Sequence, residues 1–223
     1  MAEWQGREMA EQESDETKKT RILDGAREII LREGITSVTM EEVASRQGIS
    51  KKTLYKYFPN KTELVQAAIE TRIVQIAAQV RLIVDDRQTP FPQRIGTILA
   101  VVGRQMALLG DRLLRDIAYR EPELWKRIDQ LRREQIFGAI SDLFGQGIED
   151  GYVRGDIEAR LVPTMFAASL SAILSPPQIF ELTLPPAVVF RTITRILLGG
   201  ILTDQGRALL QKWETAPGTE EQK

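Results

Sequence analysis

Between Lys51 and Lys61 this chain places four lysines, a threonine and two tyrosines within eleven residues: Lys51, Lys52, Thr53, Tyr55, Lys56, Tyr57 and Lys61. Ammonium groups neutralise phosphates and release their counterions, the salt-dependent part of affinity for DNA. Lysine also donates to guanine O6 and N7 in the major groove. Thr53 can meet a thymine methyl or a phosphate. Lys51, Lys52 and Lys56 are therefore candidates for base-edge or phosphate contacts. Lys61 and Thr39 stand at helix starts, where backbone amides already favour an anion.

Positioning them requires two short helices and a tight turn, and the sequence from Thr39 to Lys61 spells both. Thr39 and Glu42 form a capping box, and Met40, Val43 and Ala44 supply an apolar face at helical spacing. Gly48 ends the first helix, Ile49 plugs the turn, and Ser50 caps the second. Leu54 and Phe58, four apart, anchor that second helix, and Pro59 stops it. Asn60 and Glu63 cap a longer helix from about Lys61. Two helices joined this way are the helix-turn-helix arrangement of a DNA reader.

The stretch from about Thr20 to Leu64 resembles the DNA-binding domain of the tetracycline-repressor (TetR) family. ILDGAREIILREGITSVTMEEVA carries the first part of the resemblance and GISKKTLYKYFPNKTEL the second, with the Tyr-x-Tyr-Phe-x-Asn-Lys run its specific piece. It covers about 45 residues; the rest of the chain agrees only in length and helical character. The resemblance implies that Tyr55 and Tyr57 touch backbone phosphates. With Thr39, Ser50, Lys51, Lys52, Thr53, Lys56 and Lys61 they make the expected DNA-binding set. The plainer readings are a solvated Lys51 and core packing for one of the tyrosines.

Composition excludes competing chemistry. The chain has no cysteine and no histidine, so a disulfide framework, a thiol nucleophile, a Ser-His-Asp triad and most transition-metal sites are ruled out. No catalytic residue, metal site or cofactor is expected. Asp85 and Asp86 are adjacent and do not face each other, and Glu41 and Glu42 are explained by capping. The N-terminus has no signal-peptide core, and Arg191 and Arg195 interrupt the nearest thing to a membrane span. A cytoplasmic protein without a membrane partner is expected. Net charge is only −1, but it divides unevenly, at −5 over residues 1–17, +5 over 18–61 and −1 over 62–223. The basic block coincides with the helix-turn-helix pattern.

The expected organisation is all-α. A disordered acidic tail spans 1–17, with Trp4 and Met9 its few apolar anchors. A three-helix helix-turn-helix DNA-binding domain follows over 18–64, a helical ligand-binding and dimerisation domain over 65–213, and a polar tail over 214–223. Ile22, Ala26, Ile29 and Ile30 share one face of the first helix. The helix from Asn60 to about Val84 joins the two domains, with Leu64, Ala68, Val74, Ala78 and Leu82 as its apolar positions. Asp156 can cap a helix running to about Leu174, with Pro163 kinking or locally opening it. Pro176-Pro177 and Pro185-Pro186 frame a loop, and a last main helix runs from Ala187 to about Leu202.

The small, apolar run 161–174 and the helix carrying Gly199 and Gly200 imply, through the resemblance, a four-helix homodimer interface; the alternative is an intramolecular core. Two subunits would read a palindromic operator in double-stranded DNA. The resemblance also implies release by a small-molecule effector held in the second domain. Polar or bulky candidates for that pocket are Arg104, Gln105, Arg112, Asp116, Tyr119, Met165 and Phe166. The leading function is thus a DNA-binding transcriptional regulator, a repressor rather than an activator. The alternative is a helical ligand-binding or scaffold protein with a silent DNA-binding head.

Overall fold

In the computed structural model, residues 14–175 and 178–214 are described. Most of the expected acidic tail and nearly all of the polar tail lie outside the described residues. The chain divides into two compact units, Met1–Thr71 and Arg72–Lys223.

The first unit holds α1 (Asp15–Glu33), α2 (Met40–Arg46), α3 (Lys51–Tyr57) and the start of α4 (Lys61–Asp85). Helix α1 begins earlier than expected, so residues 15–17 belong to it and not to the acidic tail. Ser14 caps it by accepting from the Thr17 amide at 3.1 Å, and Asp15 and Glu16 sit in the first turn, where the helix dipole favours negative charge. The expected apolar face is the buried one: Ile22, Ala26, Ile29 and Ile30 are buried, as are Val38, Met40, Val43, Leu54 and Phe58.

Caps and turn set the path between α2 and α3. Thr39 Oγ1 accepts from the Glu42 amide at 3.1 Å, but the Glu42 carboxylate turns away to Arg46, 2.6 Å off. The capping box is therefore half made, because a guanidinium one turn along is the stronger partner for the carboxylate. Gly48 adopts φ +63°, a left-handed conformation that glycine takes without steric cost, and the Ile49 amide then returns to the Ala44 carbonyl at 3.0 Å. Ser50 accepts from the Thr53 amide at 3.0 Å and opens α3. Asn60 and Glu63 satisfy each other at the start of α4, at 2.9 and 2.8 Å.

The second unit is built from the rest of α4 with α5 (Phe91–Ala107), α6 (Asp111–Arg120), α7 (Pro122–Glu149), α8 (Leu161–Leu174), α9 (Gln178–Leu182), α10 (Pro186–Ile201) and α11 (Asp204–Glu214). Helix α10 packs on α8 and α5, α7 packs on α8, α5 and α6, and α11 closes over α5. One apolar core gathers Val80, Val84, Phe91, Leu143 and Leu202, and a second gathers Met106, Leu114, Phe190 and Ile193. Phe91 stacks on Tyr152 at 5.9 Å between ring centroids. Arg94 is buried in the first core; it donates to the Val84 carbonyl at 2.9 Å and to Gln146, and burial lowers its pKa. Among the described residues there is no strand, only an isolated bridge between Val153 and Leu202.

Three expectations are corrected here. Val74, Ala78 and Leu82 face outward, Leu82 with 73% of its surface exposed, while Ile73, Ile76, Ala77, Val80 and Val84 take the core. Two apolar stripes run down this helix, and the neighbours on only one side cover theirs. Asp156 does not cap a helix; it pairs with Arg154 at 2.6 Å, and α8 starts at Leu161. Pro163 therefore falls in the first turn of α8, where its missing N–H leaves no intrahelical bond broken, and it need not kink the helix. The proline-framed loop also contains the short helix α9.

Candidate nucleic-acid interface and effector cavity

Helix α3 is held down by one side chain and displays most of the rest. Leu54 is fully buried, with Phe58 beyond its end. Lys51, Lys52, Tyr55 and Lys56 are exposed, and Thr53 and Tyr57 are half-buried. Amphipathic spacing dictates this split: Leu54 and Phe58 point to the core, and the intervening residues turn to solvent.

The exposed cations have weak partners within the head. Lys51 pairs with Glu41 of α2, and this hydrogen bond holds the Glu41 carboxyl below its ordinary range. Lys56 lies 3.8 Å from Asp15 and 5.7 Å from the centre of the Tyr57 ring. The Tyr57 hydroxyl donates to Asp15 at 2.6 Å, and that bond, then Lys56, lowers the Asp15 pKa. Ion pairs this exposed contribute little, so a phosphate can replace the carboxylate at small cost. Lys52 has no hydrogen-bond or ion-pair partner among the described residues. Lys61 is half-buried and donates to the Thr36 carbonyl at 3.0 Å, which ties the start of α4 to the loop before α2. Thr39 and Ser50 are exposed caps, and the Ser50 and Thr53 hydroxyls lie 2.9 Å apart.

The nine sequence-derived DNA candidates thus fall in two groups. Lys51, Lys52, Thr53, Tyr55, Lys56 and Tyr57 share α3, with Ser50 at its cap. Thr39 and Lys61 mark the starts of α2 and α4. Asp15 was not anticipated; only its position in an acidic run hinted that it could meet a basic helix.

The second unit contains a cavity of about 190 Å³ between α4, α5, α7, α8 and α10. Its walls are almost wholly apolar, with Ile98, Val102, Phe137, Phe166 and Leu197 among them. The polar liners are Gln105, Asp129, Arg132, Ser171 and Thr194. Of the sequence-derived pocket candidates, Gln105 and Phe166 line this cavity. Arg104, Arg112, Tyr119 and Met165 are exposed and lie outside its lining, as does the buried Asp116, whose carboxylate is 3.9 Å from Arg120. Gln105 accepts from Arg72 at 3.1 Å. In the sequence Arg132 sits in a run of charge, Arg132-Arg133-Glu134, that reads as a solvated face.

Residues 22–68 match the family model for bacterial regulatory proteins of the tetR family. The HTH-type transcriptional regulator YvaF of Bacillus subtilis is 25% identical over 185 residues, covering 83% of this chain and 96% of the relative. The HTH-type transcriptional repressor KstR of Mycobacterium tuberculosis is 26% identical over 168 residues, covering 73% and 74%. A solved TetR-family regulator from Mesorhizobium loti shares the fold with a TM-score of 0.62 at 18% identity, covering 86% of this chain and all of its own. Among the described residues no helix is long and apolar enough to cross a membrane.

Proposed function

We propose, for a chain that belongs to the tetR family of bacterial regulatory proteins, that it works as a homodimeric repressor whose grip on a palindromic operator is loosened by a small molecule in the second unit. The observation that carries this reading is α3: a short helix anchored by Leu54, with its lysines and Tyr55 turned to solvent. Helix α3 would enter the major groove, with Lys51, Lys52 and Lys56 on base edges or phosphates. Tyr55, Tyr57 and Lys61 would fix the register on the backbone. Repression requires only occupancy of the promoter, and the reading assigns the chain no reaction. It places the protein in the cytoplasm, with the DNA it reads.

Pairing of two protomers is supported by α8 and α10. Their free faces expose Leu161, Met165 and Ile196, Ile196 with 69% of its surface open, next to the exposed Gly199 and Gly200. Apolar side chains beside small residues favour close helix approach across a two-fold axis. The cavity supports the effector role, since it is apolar with a few polar groups. A ligand that binds one spacing of the two heads better than another shifts the population toward it. Helix α4 is the proposed lever because both units include part of it.

Sedimentation of the full chain with fragments of its own genomic DNA tests the reading. Two protomers, or a multiple of two, on a shared short duplex are expected. A monomer that retains no fragment above non-specific background contradicts it.

A further inference from the structure

Arg132 is the anomaly of the second unit. It lies on α7, lines a cavity whose other walls are nearly all apolar, and is half-buried. Among the described residues it has no hydrogen-bond or ion-pair partner. Burial lowers its pKa. Arginine does not respond to such surroundings by giving up its proton; the guanidinium stays charged.

One carboxylate shares this lining and does not pair with Arg132. Asp129 lies one turn earlier on α7 and also lines the cavity. Its Oδ1 accepts from Ser171 of α8 at 2.6 Å, and its Oδ2 is held by Arg133. A second unsatisfied group stands in the same lining: Thr194 of α10 is buried, and its hydroxyl has no partner among the described residues. The cavity is more than tenfold larger than the roughly 10–15 Å³ that admits one water, so it has room for a ligand. A half-buried cation without a partner has lost part of its hydration, and an incoming anion offsets that loss.

We propose that this cavity takes an apolar molecule bearing a single oxyanion, a carboxylate first of all, and that Arg132 receives the oxyanion. The guanidinium fork presents parallel N–H donors that match a carboxylate, and the hydrocarbon body replaces solvent along Ile98, Val102, Phe166 and Leu197. A neutral molecule of the same shape would leave Arg132 unpaired. The inference rests on the reading of the cavity as the effector site.

Calorimetric titration of the full chain, without DNA, uses octanoate, dodecanoate and hexadecanoate, each beside the matching primary alcohol. At least one carboxylate is expected to bind the wild type about ten- to a hundredfold more tightly than its alcohol. In Arg132→Met that preference is expected to vanish, and the ligand-free variant to melt no lower than the wild type, because an apolar side chain replaces an unpaired charge. If no carboxylate binds the wild type, or acid and alcohol bind it equally, the proposal falls. The wild-type comparison stands even if the variant does not fold. Operator affinity measured with the bound acid separates the two claims. An acid that binds through Arg132 and leaves DNA affinity unchanged overturns the effector role alone. A neutral molecule that fills the cavity and releases DNA, while every acid fails, overturns Arg132 alone.

Discussion

Replacing Lys52 with glutamine removes one exposed cation from α3 and leaves the head's internal contacts intact. Lys52 has no partner among the described residues, and Leu54 and Phe58 keep the helix anchored. Folding stability should therefore stay within about 0.5 kcal/mol of wild type. Binding should change far more. If each reading head loses one phosphate contact, a dimer on its operator loses two, and the slope of log K against log salt becomes shallower by about 1.8. With the affinity at 1 M salt unchanged, that slope weakens binding at 0.1 M by about sixtyfold. Fluorescence anisotropy of a labelled operator across a potassium chloride series reads both quantities. A weaker complex with an unchanged slope would move Lys52 from phosphate to base edge. Wild-type slope and affinity together would refute the placement of Lys52 against DNA.

Other perturbations probe the head and the second unit separately. Leu54→Ala should destabilise the head by about 2–5 kcal/mol in denaturant titration, because the helix loses its only fully buried side chain. Asp15→Asn should tighten operator binding, by no more than about fivefold, since it frees Tyr57 and Lys56 from a competing carboxylate. Asp15 also carries a pH signature. Its pKa is lowered in the folded protein, so its contribution to stability is present above the ordinary aspartate range and is lost as pH falls through the lowered value. The asparagine variant should lack that loss, and carboxyl NMR titration should place wild-type Asp15 below the ordinary 3.8. Gly147→Ala should cost about 1–3 kcal/mol in thermal unfolding, because an added methyl would sit 2.6 Å from the Phe91 ring and 2.8 Å from Val153.

Local chemistry made the head legible in the sequence. Thr39, Gly48, Ser50 and Asn60 each act on backbone groups within five residues, so their types and spacing determine where α2, α3 and α4 begin and end. Leu54 could be assigned to packing because it is the apolar residue inside a polar helix. The second unit was legible only in outline. Helix α4 carries apolar residues on more than one side, so periodicity alone chose Val74, Ala78 and Leu82, where packing chose Ile73, Ile76 and Val80. Asp156 had the right type for a cap and was taken by Arg154 instead. Gln105, a polar residue in apolar sequence, and Phe166, a candidate wall, both line the cavity. Arg132 was missed because its cavity is assembled from helices far apart in the chain, and charge in sequence reads as solvent exposure.

The central claim is that α3 reads DNA from a two-fold dimer, and selection from a random duplex pool tests it most directly. The account predicts enrichment of an inverted repeat, bound with a steep salt slope that Lys52→Gln makes shallower. Protein shown to be folded and dimeric that enriches no sequence, with no acid or alcohol present, would contradict it.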